Sequence, residues 1–166
     1  MTRSVSKVFG RAITAAGVGC ALLFSVSAGN AQSAPFAGFD GSWAGTGTLS
    51  LSDGSHESLR CRATYKVDGS GQSLQQTLRC ASDSYKFDLS SNVTSAGDRI
   101  SGNWSETSRG LNGQLQGTAG GGKIDVFVEA AGFAANLTLT TRGNKQSVQI
   151  NSKGDIRGVN ITMTKS

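Results

Sequence analysis

The chain has 166 residues, with 16 Lys and Arg against 11 Asp and Glu and a formal net charge of +5. Arg3, Lys7 and Arg11 lie in an N-terminal leader, so 13 basic residues remain after it and the net charge there is only +2. A charge this small argues against nucleic acid as a partner. The 135 residues beyond the leader suffice for one domain with its own core.

The first 31 residues have the features of a secretory signal peptide. The three basic residues precede a short apolar run from Ala12 to Val26, and small residues surround Ala31. A membrane-spanning helix needs roughly 20 apolar residues, and this run is shorter. We therefore expect cleavage after Ala31, no membrane span in the mature protein, and a periplasmic or secreted location.

Two cysteines are placed opposite each other by a predicted hairpin. Cys61 and Cys80 flank the turn Asp68–Gly71 and lie at equal distances from the Ser70–Gly71 bond. Directly opposed residues in an antiparallel pair have Cα atoms roughly 4.5–5.5 Å apart, which a disulfide accepts. The hairpin thus predicts a Cys61–Cys80 disulfide and an oxidising compartment.

Apolar or small residues alternate with polar ones from Trp43 almost to the C-terminus, and short polar or glycine-bearing turns interrupt the alternation at regular spacing. This pattern predicts an all-β, antiparallel up-and-down meander of about 8–10 strands. We expect a signal peptide at 1–31, an N-terminal tail at 32–39 and a single β-barrel domain at 40–166.

The turn centres predict the register between neighbouring strands. Mirror pairing about each turn places Leu78 opposite Phe87, and Trp104 opposite both Leu89 and Leu115, so that inward residues always meet inward residues. Consecutive hairpins of this length close most easily into a barrel, because closure removes exposed edges. A curled open sheet or a two-sheet sandwich would satisfy the same alternation.

The first strand carries a family resemblance. It opens with Gly41-Ser42-Trp43 and continues as Gly45–Leu49 (GTGTL), which resembles the Gly-x-Trp start of the calycin barrels (lipocalins, avidins and relatives). The resemblance implies a barrel with the tryptophan packed across its floor and an internal ligand site. A small periplasmic protease-inhibitor barrel of bacteria shares the same general features.

The chain offers little that suggests an enzyme. Its one histidine, His56, follows Asp53 and precedes Glu57, either of which could orient it as a base. The simpler interpretation is a solvated loop histidine. No second histidine is present to build a zinc site, and neither a Gly-x-Ser-x-Gly elbow nor a phosphate loop occurs. We therefore expect a non-enzymatic protein without a metal or cofactor.

Several polar and aromatic side chains point inward in this alternation and could line a ligand cavity. An inward carboxylate is costly unless it is paired, hydrated or near a mouth. Glycines at 45, 47, 102 and 117 either leave space for a ligand or allow the sheet to coil around a filled core. The candidate ligand-binding residues are Trp43, Tyr65, Gln76, Phe87, Trp104 and Glu106.

A basic row is predicted on the outer face. Mirror pairing places Arg62 opposite Arg79 and Arg79 opposite Lys86, with Asp88 nearby. Directly opposed like charges are unfavourable, so the row indicates either an anionic partner or solvated side chains near Asp88. The rest of the outer face is polar, which excludes a lipid-facing barrel.

Two functions remain open at this point. The first is an exported binding protein that holds a small ligand inside the barrel. The second is a periplasmic interaction or inhibitor module that binds an envelope protein through its loops or through Arg62, Arg79 and Lys86. The two differ in whether the interior receives a ligand or is filled.

Overall fold

The computed structural model describes residues 34–166, which form ten β-strands. The predicted signal peptide at 1–31 and its cleavage site after Ala31 lie outside the described residues. The strands are β1 (Gly41–Leu51), β2 (His56–Val67), β3 (Ser73–Ala81), β4 (Lys86–Ala96), β5 (Arg99–Glu106), β6 (Leu111–Gly120), β7 (Lys123–Ala130), β8 (Phe133–Arg142), β9 (Lys145–Ser152) and β10 (Ile156–Lys165).

The sheet closes into a barrel. Each strand pairs antiparallel with its neighbours in sequence, and β1 also pairs with β10. The up-and-down meander is therefore confirmed, and the sheet is a closed barrel and neither an open sheet nor a two-sheet sandwich. Closure requires strong coiling of the strands, and inward glycines permit it. A Cβ at Gly45 would overlap the carbonyl oxygen of Thr162, and a Cβ at Gly117 would overlap that of Asp125.

The disulfide hairpin has the predicted register. Cys61 lies opposite Cys80 across β2 and β3, and the two form a disulfide with a Cα–Cα distance of 4.1 Å. The cysteines are 19 residues apart, and a loop of this length stabilises a fold by roughly 3 kcal/mol in the chain-entropy model. The crosslink suggests that the protein folds in an oxidising environment.

Three other hairpins differ from the predicted register by two residues. Leu78 lies opposite Leu89 instead of Phe87, and Trp104 lies opposite Ser91 and Gly113 instead of Leu89 and Leu115. In each case the turn centre lies one position away from the one predicted. A two-residue shift preserves which side chains face inward, so the inward and outward sets are unchanged.

The turns themselves explain these shifts. Only two residues, Gly97 and Asp98, connect β4 to β5, and Gly97 has a φ of 70° that favours glycine. Four residues connect β3 to β4 and four connect β5 to β6; Glu57 of β2 holds the first of these turns, and Glu106, the last residue of β5, holds the second. The pairing of β1 with β10 contains a bulge, because Ser50 lies opposite Gly158 and Leu51 lies opposite Ile156.

The first described residues seal one end of the barrel. This closed end comprises the start of β1, the end of β10 and the turns after β2, β4, β6 and β8. Phe36 and Phe39 are completely buried there, and the Phe36 N–H donates to the Gly71 oxygen at 3.2 Å. The Trp43 indole N–H donates to the Phe39 oxygen at 2.9 Å. The segment expected as a tail is therefore part of the core from Phe36 onward.

Candidate functional site

The opposite end of the barrel is less completely buried. This open end comprises the turns after β1, β3, β5, β7 and β9. Most inward apolar side chains near it pack against the core but keep partial solvent exposure, although Leu49 and Leu59 are buried. Those near the closed end are almost all buried, with Val67 as an exception. The partly exposed set at this end is Leu51, Tyr85, Phe87, Leu89, Leu111, Val128, Ala130, Phe133, Leu137, Ile150 and Ile156. Together these side chains form an apolar ring that water reaches from one end.

Trp104 forms one wall beneath this ring. Its indole N–H donates to the Gln114 oxygen at 3.1 Å, and its ring meets Phe133 edge-on with centroids 5.8 Å apart. A Cβ at Gly113 would lie 2.7 Å from the indole nitrogen, so the glycine leaves the space that the indole occupies. Trp104 is thus fixed in position close to the partly exposed Phe133.

Glu106 points inward as expected, but its carboxylate binds the turn after β5 and the first part of β4. It lies opposite Leu89 and Leu111, because of the same register shifts that move Trp104. Its Oε1 accepts the backbone N–H groups of Asp88 at 2.9 Å and Ser108 at 3.0 Å. Its Oε2 accepts the N–H of Arg109 at 2.8 Å.

These bonds decide the charge state of Glu106. Burial is the largest influence and raises the pKa of the carboxyl, but hydrogen bonds from Asp88, Ser108 and Arg109 together outweigh it and hold the pKa below 4.5. The carboxylate is therefore ionised at neutral pH, with its oxygens already occupied by backbone donors.

Arg109 was not singled out in the sequence. Its guanidinium lies 4.8 Å from the centre of the Phe87 ring and 5.8 Å from that of Tyr85, and these two rings stack with centroids 6.2 Å apart. The cation thus joins the turn after β5 to the turn after β3. No local sequence pattern could have found it, because the contact depends on the register between β4 and β5.

The remaining inward polar residues bond to one another. The Tyr65 hydroxyl donates to Gln146 Oε1 at 2.9 Å, and Gln146 Nε2 donates to Thr141 Oγ1 at 3.0 Å. Burial raises the pKa of the Tyr65 hydroxyl above its ordinary 10.0, against the lowering effect of hydrogen bonds to Gln146 and Gln76. Gln76 also accepts a hydrogen bond from Ser91 Oγ at 3.0 Å.

The structure therefore separates the six predicted ligand-binding residues. Trp43 and Tyr65 are almost fully buried near the closed end. Phe87, Trp104 and Glu106 lie toward the open end, and Gln76 lies between the two groups. Only Phe87 and Gln76 among the six keep partial exposure.

The predicted basic row is only partly present. Arg62 lies opposite Arg79 as expected, but Arg79 lies opposite Asp88, with its Nε 3.1 Å from Asp88 Oδ2. Lys86 lies opposite Ala81, because of the register shift between β3 and β4. The cations still line one outer groove of about 730 Å³, together with Arg60.

His56 is exposed at the start of β2 and not in the loop before it, and it pairs with Ser50 of β1. Its Nδ1 lies 3.0 Å from Ser50 Oγ. Asp53 accepts hydrogen bonds from Ser55, and Glu57 accepts them from Ser82 and Ser84, so neither carboxylate orients the imidazole. Within residues 34–166, no cluster of three His, Cys, Asp or Glu side chains could hold a metal ion. That range also contains no helix with the length and apolar character to cross a membrane.

Comparison with known proteins supports the fold only. No model of a protein family matches the chain, and no curated protein matches it. The chain is similar to the crystal structure of Rv2717c from M. tuberculosis, with a TM-score of 0.62 and 13% identity over 80% of this chain and 93% of that one. A fold shared at this identity does not carry a function with it.

Proposed function

We propose that this chain is an exported, non-enzymatic binding protein that holds a small, mainly apolar ligand inside the barrel. The observation that carries the proposal is the difference between the two barrel ends. One end is plugged by Phe36, Phe39 and Trp43, while the other keeps a ring of partly exposed apolar side chains. Apolar surface exposed in a concave site is typical of small-molecule binding sites.

The proposed ligand chemistry follows from the inward polar groups. Glu106 is occupied by three backbone donors, and Tyr65 and Gln146 bond to each other. A ligand that required a free carboxylate or amide would have to break these bonds, at a cost of roughly 1–3 kcal/mol for each polar group left unsatisfied. A neutral, mainly apolar molecule fits this lining better than the cationic one that an inward Glu106 suggests.

Export belongs to the same proposal. The leader at 1–31 has the composition of a signal peptide, and the Cys61–Cys80 disulfide favours an oxidising compartment such as the periplasm or the extracellular space. A carrier in that compartment would take up its ligand directly from the surrounding solution or from a membrane surface.

The second candidate is an interaction or inhibitor module that acts through its loops or through Arg62, Arg79 and Lys86. The outer groove that contains these cations is the observation in its favour. This candidate requires no ligand inside the barrel, so interior binding separates it from the carrier.

A neutral fluorescent probe tests the carrier. N-phenylnaphthylamine gains fluorescence in apolar surroundings, and we expect it to bind the protein with a defined stoichiometry. Ala130→Lys places a cation in the partly exposed ring, near a strand end from which the long side chain can reach water. Because a desolvated charge in the site is costly, we expect this variant to bind the probe about tenfold more weakly or worse.

Ala134→Lys is the matched control. Ala134 lies on the outer face of β8 and is exposed, so the same substitution there changes the net charge equally without entering the barrel. We expect wild-type binding of the probe in this variant. Equal binding by wild type and both lysine variants would contradict entry through the open end and favour the interaction module.

A further inference from the structure

A cationic groove crosses the outer wall of the barrel over β1 to β4. It encloses about 730 Å³, and its lining includes Arg60, Arg62, Arg79, Lys86 and Asp88. The short side chain of Ala81 lies between Arg60 and Lys86, and that of Ala44 lies beside Arg62. The groove is therefore a concave strip with a small-residue floor and cationic sides.

The charges of this strip are not balanced within the described chain. Arg79 pairs with Asp88 at 3.1 Å, but across residues 34–166 no ion pair within 4.0 Å involves Arg60, Arg62 or Lys86. Arg62 lies directly opposite Arg79, an arrangement that destabilises an antiparallel sheet. Four cations against one carboxylate leave a local excess of three positive charges, which an anionic partner would neutralise.

The spacing of the cations indicates the shape of that partner. Arg60 and Arg62 are two residues apart on β2 and both point outward, so they are about 7 Å apart along the strand. An extended peptide repeats its side chains on one face with the same two-residue spacing. Carboxylates at alternate positions of such a peptide would meet Arg60 and Arg62 in turn.

A lipid surface fits the groove less well. Proteins that dock on membranes through cations usually add apolar side chains that enter the lipid. Phe127 is the one large apolar side chain found exposed within residues 34–166, and it lies on β7, away from the groove. The barrel is also closed, so a partner has no free strand edge to pair with and must bind through side chains.

We propose that the groove binds an extended acidic segment of a partner protein, with carboxylates at alternate positions of the segment paired to Arg60 and Arg62. Arg79 and Lys86 extend the same cationic strip across β3 and β4. This site is on the outer wall, so it is separate from the ligand site proposed inside the barrel, and either can exist without the other.

Fluorescence anisotropy with a labelled peptide of alternating Glu and Ser tests the proposal. We expect binding that weakens as salt is added, and weaker binding of a peptide of equal composition whose glutamates are contiguous. The double variant Arg60→Ser/Arg62→Ser should bind the alternating peptide about tenfold more weakly. Both arginines are exposed, so the fold should tolerate their loss.

The matched control is Arg99→Ser/Lys145→Ser. It removes the same charge from exposed outward positions on β5 and β9, outside the groove, and we expect it to bind the peptide as wild type does. Equal losses in both double variants, or no preference for the alternating peptide, would overturn the proposal, because binding would then depend on net charge alone.

Two further measurements separate the alternatives. We expect wild type to bind the alternating peptide more tightly than vesicles that contain anionic phosphatidylglycerol. Tighter binding of the vesicles that is abolished by Arg60→Ser/Arg62→Ser would assign the groove to a lipid surface instead. Ala130→Lys should bind the peptide normally. A loss there would contradict the independence of the groove from the barrel interior.

Discussion

Replacement of Trp43 by alanine is expected to lower the free energy of unfolding by about 3–5 kcal/mol. The side chain is 1% exposed, and its indole N–H donates to the Phe39 oxygen at 2.9 Å. Its loss would leave a cavity at the closed end and release the segment that carries Phe36 and Phe39. Urea denaturation followed by circular dichroism measures the change.

Ser42→Ala is the control for this prediction. Ser42 precedes Trp43 on β1 and its side chain is exposed on the outer face, so its replacement should change the stability by less than about 0.5 kcal/mol. If Trp43→Ala lowered the free energy of unfolding no more than Ser42→Ala, the packing of Trp43 would not stabilise the fold. The claim that one barrel end is closed by Phe36, Phe39 and Trp43 would then be contradicted.

Glu106→Gln is expected to lower the free energy of unfolding by about 2–4 kcal/mol at neutral pH. The carboxylate accepts the backbone N–H groups of Asp88, Ser108 and Arg109. A glutamine has the same shape but only one accepting oxygen, and its amide hydrogens would face backbone donors. Thermal and urea denaturation measure the loss, and Glu129→Gln, an exposed outward substitution on β7, is the matched control.

The cost of Glu106→Gln should depend on pH. Hydrogen bonds hold the pKa of Glu106 in the folded protein below 4.5, its ordinary value, which the unfolded chain approaches. The stabilisation is therefore present above pH 4.5 and is lost as pH falls through the lower folded pKa. The difference between wild type and Glu106→Gln should shrink in acid. A difference that stayed constant down to full protonation would contradict the role of the ionised carboxylate.

The strand alternation predicted most of the fold. Because side chains alternate strictly along a strand, the spacing from Trp43 onward identified the inward residues without knowledge of the register. The Cys61–Cys80 pairing came from one turn, Asp68–Gly71, whose centre was placed correctly. Trp43 lies buried near the closed end, as the Gly-x-Trp resemblance implied. Membership of the calycin group stays a prediction.

The register and the site were harder to predict, for a physical reason. Glu57 of β2 holds the turn after β3, and Glu106 of β5 accepts the N–H of Asp88 on β4, and these hydrogen bonds form only after the strands have met. Mirror pairing cannot include these bonds, so it misplaced Lys86 opposite Arg79. The burial of Phe36 and the contact of Arg109 with Phe87 likewise depend on tertiary packing, and no local pattern encodes them.

The most direct test of the central claim is a methyl-labelled NMR titration with N-phenylnaphthylamine, which reports where a small apolar molecule binds. The open end carries the methyl groups of Leu111, Val128, Leu137, Ile150 and Ile156, and the closed end those of Leu74, Val93, Ile100 and Ile124. We expect saturable shifts at the open-end methyl groups and little change at the closed end. Shifts confined to the closed end, or no saturable shift at any inward methyl group, would contradict ligand entry through the open end.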